Sequence, residues 1–282
     1  MTAAPAAAPR PFTAVVKRFF RTPKGMLIAI LPVLMLAAAL GSSVKLVTPI
    51  VLGGVLGAAI VDAPILRYRE GEWLVPDGAI LTGLIVAMIL SPMQPWWVAA
   101  VTSATGVASK YLMRVGRANV FNPAALALVA TFYIFNTGQN WWGALPELPP
   151  VALVLLFASG VFIADRVNKL PGVIAFLAVY YLLATIAAFG GNPAKVAELY
   201  RSPDLHAALF FAFFMVTDPP TSPPKARDQL WFGALVAVVS FAAFELVGAA
   251  YWLLAGLLVG NVAEAARRRR TKRVAAGALA RP

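Results

Sequence analysis

A chain of 282 residues that is 60% hydrophobic and only 13% charged, with a mean hydropathy of +0.78, reads as an integral membrane protein and not as a large soluble domain. The absence of cysteine excludes disulfides, thiolate metal sites and iron–sulfur clusters made by this chain alone, so any redox chemistry needs an organic cofactor. The net charge of +12 points to membrane topology and not to nucleic acid, because the basic residues are sorted by loop.

In chain order, Met1 to Pro11 is rich in alanine and proline and Phe12 to Lys24 is basic. No cleavable signal is visible, so residues 1–24 are expected to form a cytoplasmic tail ahead of a retained first helix. Apolar periodicity predicts ten helices, at 26–40, 45–63, 79–90, 95–113, 121–136, 150–166, 171–189, 205–217, 229–246 and 248–264. They make one membrane domain over 25–265, followed by a basic tail at 266–282. With the N-terminus inside, all but three of the 24 Lys/Arg (Lys45, Lys195 and Arg201) fall in cytoplasmic tails or loops. That sorting supports ten spans with both termini cytoplasmic. Arg267 to Arg270, with Lys272 and Arg273, read most simply as an anchor near anionic lipid.

The third and eighth segments are short. The eighth runs through Phe213-Phe214-Met215-Val216-Thr217-Asp218 into Pro219-Pro220-Thr221-Ser222-Pro223-Pro224, an abrupt helix break. Near membrane depth such a break survives only when buried in protein or lining a polar cavity. An offset of 127 residues carries Asp77 to Asp204, Met88 to Met215, Pro92 to Pro219 and Gly106 to Gly233. The chain therefore reads as two five-helix repeats, about 25–140 and 148–265. An odd number of helices per half inverts the second repeat, and paired broken helices mark a site between the halves.

Two further stretches carry polar chemistry. In Asp77-Gly78-Ala79-Ile80-Leu81-Thr82-Gly83-Leu84, the free N–H groups of a helix start favour an anion or a polar ring edge. Gly83 allows close backbone approach, and a small-residue helix contact explains it equally well. In Gly116-Arg117-Ala118-Asn119-Val120-Phe121-Asn122-Pro123, Asn122 and Pro123 suit a helix cap and first turn, while Arg117, the two asparagines and Phe121 could also hold a flavin or phosphate. The single histidine, His206, is expected at an interfacial helix start. No nucleophile–histidine–acid set, phosphate loop or metal-ligand spacing is present, so neither catalytic nor metal-binding residues are expected.

The segments DGAILTGLIVAMILSP (Asp77 to Pro92), Pro95-Trp96-Trp97, SKYLMRVGRANVFNPAAL (Ser109 to Leu126) and FFMVTDPPTSP (Phe213 to Pro223) together resemble the NqrB/RnfD family. Its members are the NqrB component of the sodium-translocating NADH:quinone reductase and the RnfD component of the Rnf complex, both membrane-embedded. The resemblance covers about residues 25 to 265. It implies a ten-helix inverted-repeat domain of the bacterial inner membrane that binds flavin and passes electrons within a multisubunit complex coupled to ion movement. It also implies an FMN joined to a threonine in an S/T-G-A-T-like motif after the fifth helix. Here that place reads Asn136-Thr137-Gly138-Gln139-Asn140-Trp141-Trp142-Gly143 and lacks the motif, while Thr102-Ser103-Ala104-Thr105 lies inside the fourth helix and reads as packing.

The expectation is thus a non-covalent flavin, FMN or riboflavin, contacted by Asp77, Thr82, Gly83, Lys110, Arg117, Asn119, Asn122, Thr217, Asp218 and Ser222, with Trp96 and Phe121 stacking on the ring. Redox partner proteins and the lipid bilayer are the expected partners. Inverted repeats with midplane breaks also suit a carrier or channel for flavin or another small polar solute, and the missing motif also suits a scaffold component with a degenerate site.

Overall fold

The computed structural model describes residues 17–116, 118–191 and 193–279, which are mostly helical. The elements in order are α1 (Pro23–Gly41), α2 (Val44–Glu70), α3 (Asp77–Ile89), α4 (Trp96–Leu112), a two-stranded ribbon of β1 (Arg114–Val115) and β2 (Ala118–Asn119), α5 (Pro123–Phe135), α6 (Val151–Arg166), α7 (Leu170–Gly190), a short α8 (Pro193–Glu198), α9 (Asp204–Phe214), α10 (Ala226–Ala242) and α11 (Trp252–Leu279). Apart from α8, every helix falls where apolar periodicity places one. The main differences are that α2 runs on to Glu70 and α11 to Leu279. Residues 1–16 of the expected N-terminal tail and 280–282 of the C-terminal tail lie outside the described residues.

Local chemistry sets the boundaries. Thr22 accepts the Gly25 N–H at 3.1 Å and Pro23 fills the first turn of α1. Asn122 caps α5 in the same way, accepting the Ala125 N–H at 3.1 Å ahead of Pro123. Gly71 ends α2 in the left-handed conformation, φ 77°. α10 passes into a π-helical turn, Ala243–Val247, before Gly248 breaks it.

Four helices are long and apolar enough to cross a membrane by length and composition: Pro23–Gly41, Val44–Glu70, Leu170–Gly190 and Ala226–Val247. With α3, α5 and α9 as shorter apolar helices, this is the make-up of a membrane protein. The 13 residues of α3 and 11 of α9 extend roughly 20 Å and 17 Å at about 1.5 Å per residue, short of a hydrocarbon layer about 30 Å thick.

Both short helices are interior. Every residue of α9 from His206 to Phe214 is buried, as are Ala79, Leu81 to Leu84 and Val86 to Ile89 of α3. Burial in protein answers the requirement that a broken helix keep its open ends away from lipid. At the end of α3, the 138–142 segment folds back to supply partners: Ser91 N–H donates to Gly138 O at 2.9 Å, Asn140 N–H to Ile89 O at 2.9 Å and the Trp142 indole to Ala87 O at 2.7 Å. Trp141 then packs edge-on against Phe210 and Phe211 of α9. His206 does lie in the first turn of α9, but it is buried, with Nδ1 3.0 Å from Ala144 O. It pins this connection to α9.

The same pairing recurs in each half of the chain. α2 packs closely along α4, and α7 along α10. A Cβ at Gly53 or Gly57 would strike the backbone of Trp96 or Ala100, and one at Gly233 would strike the Gly172 carbonyl. Small residues let these backbones touch where no water-driven force holds helices together. Thr102 and Ser103 are fully buried in α4, and Thr102 donates to Thr131 of α5 at 3.1 Å, so the buried half of the Thr102–Thr105 run is packing, while Thr105 is exposed.

Candidate functional site

α3 begins, and α9 ends, at the same end of the molecule. Between them opens a cavity of about 690 Å³, walled by the start of α1, the first two turns of α3, the end of α4, the α5 cap, the end of α6 and the Phe214–Pro220 segment. Seven of the expected site residues meet there: Asp77, Thr82, Lys110, Asn119, Asn122, Thr217 and Asp218. Residues far apart in sequence converge because two helix termini and one helix cap share a mouth.

The charges are balanced, with Lys24 and Lys110 facing Asp77 and Asp218 on the walls. Lys24 pairs with Asp77 at 3.0 Å, and the Lys110 ammonium donates to Gly78 O at 2.7 Å. Gly78 O also accepts the Thr82 hydroxyl at 2.9 Å, so Thr82 faces the cavity with its donor engaged on its own helix. Thr217 donates to Phe213 O at 2.6 Å, satisfying a carbonyl at the open end of α9.

The Asp218 turn is strongly braced. The Thr221 hydroxyl donates to Asp218 Oδ2 at 2.7 Å and the Ser222 hydroxyl to Asp218 O at 2.7 Å. Four prolines remove backbone donors from this loop, leaving carbonyls to be matched from outside. Arg268 donates to Pro220 O at 2.6 Å and Ser222 O at 2.8 Å, Asn261 to Thr221 O at 3.3 Å, Lys169 to the Ser222 and Pro223 carbonyls, and Gln229 to Pro224 O at 3.2 Å. Burial, followed by the nearby Arg268 charge, lowers the Lys169 ammonium to about 8.

The remaining expected residues lie elsewhere. Gly83 packs against α2, where a Cβ would sit 2.5 Å from Gly54 O, so it serves the helix contact. Trp96 is 60% exposed and borders a separate apolar groove with Pro49 and Gly53. It stands at the start of the helix whose far end carries Lys110, roughly 21 Å away at about 1.5 Å per residue. Phe121 is half-buried beside Asn122 without lining the cavity, and the aromatic walls are Phe19 and Phe214. Ser222 is buried as a brace behind Asp218. Arg117 lies outside the described residues.

Sequence reasoning missed Lys24, Lys169, Asn261, Glu264 and Arg268. A signal existed for two of them: Asn261 and Glu264 interrupt the apolar run Leu253 to Ala265, where polar side chains require partners. Glu264 is buried and accepts from Arg267 at 2.7 and 3.0 Å and from Arg268 at 2.7 Å, while Arg267 also pairs with Asp228 at 3.0 Å. The expected lipid anchor is thereby corrected: its first two arginines turn inward to bind carboxylates and loop carbonyls, leaving Arg269 and Arg270 exposed.

The chain is also similar in sequence to known proteins. The chain is 32% identical to the D component of the ion-translocating oxidoreductase complex of Aliivibrio salmonicida over 35% of this chain and 29% of the relative, and 41% identical to that of Stutzerimonas stutzeri over 31% and 23%. The match thus spans under a third of either relative's length. Against the same component from Shewanella sediminis it is 29% identical over 65% of this chain and 73% of the relative. The model of the NQR2, RnfD, RnfE family matches residues 6–148 and 143–262, and the chain therefore belongs to that family.

Proposed function

We propose that this chain is a membrane component of an oxidoreductase complex that holds a non-covalent flavin, FMN or riboflavin, in the α3–α9 cavity and relays electrons between partner proteins. The observation that carries the reading is the convergence of seven of the expected polar residues, from five segments of the chain, on one cavity of about 690 Å³. That size suits a small-molecule site, which combines apolar walls with a few placed polar groups. The relatives' name, which makes each of them one part of an ion-translocating oxidoreductase complex, supports the placement within a complex.

The donor set fits a flavin. Asn119 and Asn122 offer amides for a ring edge that both donates and accepts, and Asp218 offers an acceptor beside them. Phe19, Leu81, Ile85 and Phe214 supply apolar walls that exclude water, and Lys24 and Lys110 place positive charge at the Asp77 side. A bound flavin supplies both one- and two-electron transfer at moderate potential, a combination that the side chains of a cysteine-free chain do not provide. The segment Asn136 to Gly143, where the family resemblance would place a covalent FMN, lacks the S/T-G-A-T-like motif, and its Thr137 is only 1% exposed.

The accompanying architecture is ten membrane segments in two inverted repeats, with both termini and the cavity mouth on the cytoplasmic side of a bacterial inner membrane. The matched α2–α4 and α7–α10 pairs and the opposed ends of α3 and α9 support it. The functional test is reduction of the purified, flavin-loaded protein with dithionite followed by a quinone analogue. Reoxidation with the flavin still bound is expected. Release of flavin without turnover would favour a carrier, and failure to bind flavin would overturn the reading.

A further inference from the structure

Asn261 touches neither wall nor mouth of the cavity, yet it joins the two segments that form it. The residue is fully buried on α11. Its Oδ1 accepts the Asn122 N–H at 2.8 Å, and its Nδ2 donates to Thr221 O at 3.3 Å. Asn122 caps α5 and lines the cavity; Thr221 holds the Asp218 carboxylate at 2.7 Å. The orientation of the amide follows from chemistry, because a backbone N–H can only donate and a backbone carbonyl can only accept. Further along α11, Arg268 reaches Pro220 O and Ser222 O, so α11 seats the whole Asp218 turn against the α5 cap.

We infer that Asn261 is a positioning residue: its single amide sets the spacing between Asn122 and Asp218 and thereby the geometry of the ligand site. The assignment rests on the flavin reading above for what is bound, and on Asn261 alone for how the two segments are coupled. No other natural side chain of this length both accepts from the Asn122 N–H and donates to the Thr221 carbonyl. Ionised aspartate keeps the acceptor and loses the donor, and leucine, which loses both whatever the pH, is the decisive variant.

The test uses the full chain in detergent, comparing Asn261→Asp and Asn261→Leu with the parent by hydrogen exchange and by riboflavin titration. Asn261→Asp is expected to keep protection around Asn122 while Thr221 and Ser222 exchange at least tenfold faster. Asn261→Leu is expected to lose protection in both segments and to weaken riboflavin binding at least tenfold, with peptides from α2 and α7 exchanging as in the parent. Parental exchange in both segments would overturn the inference. So would an equal rise throughout α2 and α7, because that marks a residue that merely holds the fold together. A parent protein that binds neither riboflavin nor FMN would refute the flavin reading, whereas the exchange pattern would still decide the coupling.

Discussion

Asp218→Ala removes a carboxylate from the cavity wall and one brace of its loop. In the parent, Asp218 lines the cavity and accepts the Thr221 hydroxyl at 2.7 Å. Hydrogen bonds to a charged group contribute about 1.5–3 kcal/mol net. At about 1.4 kcal/mol per tenfold, losing one such contact to the ligand should weaken riboflavin binding roughly 10- to 100-fold. The loop itself should hold, because Arg268, Asn261 and Lys169 grip backbone carbonyls that the substitution leaves intact. Asp218→Asn preserves an oxygen for Thr221 and removes only the charge, so its affinity should fall between the two. The assay is riboflavin fluorescence quenching in detergent, with gel filtration reporting the fold. Parental affinity in Asp218→Ala with a monodisperse profile would refute the placement of the ligand against Asp218.

Other expectations follow from neighbouring contacts. Arg268→Met strips two carbonyl bonds from the Asp218 loop and one of the two arginines from buried Glu264; with Arg267 still paired to that carboxylate, a cost of about 2–3 kcal/mol is expected, read as a fall of several degrees in apparent melting temperature. An unchanged melting curve would show that the arginine is ornamental. Gly83→Ala drives a Cβ to 2.5 Å from Gly54 O on a facing helix backbone, and the overpacking should cost about 1–3 kcal/mol and reduce the yield of monodisperse protein. Trp96→Ala should leave riboflavin affinity unaltered, since Trp96 faces a separate groove; a loss of affinity would return it to the site. Lys24→Ala should hardly move the melting temperature, because its ion pair with Asp77 is half-exposed and such pairs contribute about 0.2–1 kcal/mol.

The positions of the helices were legible because a long apolar run interrupted by proline, glycine and asparagine has few alternatives. Asn122-Pro123 at the head of α5 is a clear case. The broken helices were legible for the same reason, since Ser91-Pro92 and Asp218-Pro219 cannot continue an α-helix. What periodicity did not reveal was which ends meet. The cavity joins the start of α3 to the end of α9, so Asp77 and Asp218 share it while Trp96, at the far end of α4, stands apart. Stacking on Trp96 rests on sequence proximity to the Pro92 break, and a helix length separates that end from the cavity. The inward turn of Arg267 and Arg268 was equally hidden: a run of four arginines looks alike whether it meets lipid or a carboxylate. The buried Glu264 one turn earlier was the available clue.

The most direct test of the central claim is the absorption spectrum of the detergent-purified protein in the near-ultraviolet and blue, repeated on supernatant and pellet after acid precipitation. Flavin bands that pass to the supernatant are the expected result for a cofactor held by Asn119, Asn122 and Asp218 without a covalent bond. Colour retained in the pellet would contradict the non-covalent assignment, and a colourless protein that stays colourless after incubation with riboflavin or FMN would contradict the flavin site itself.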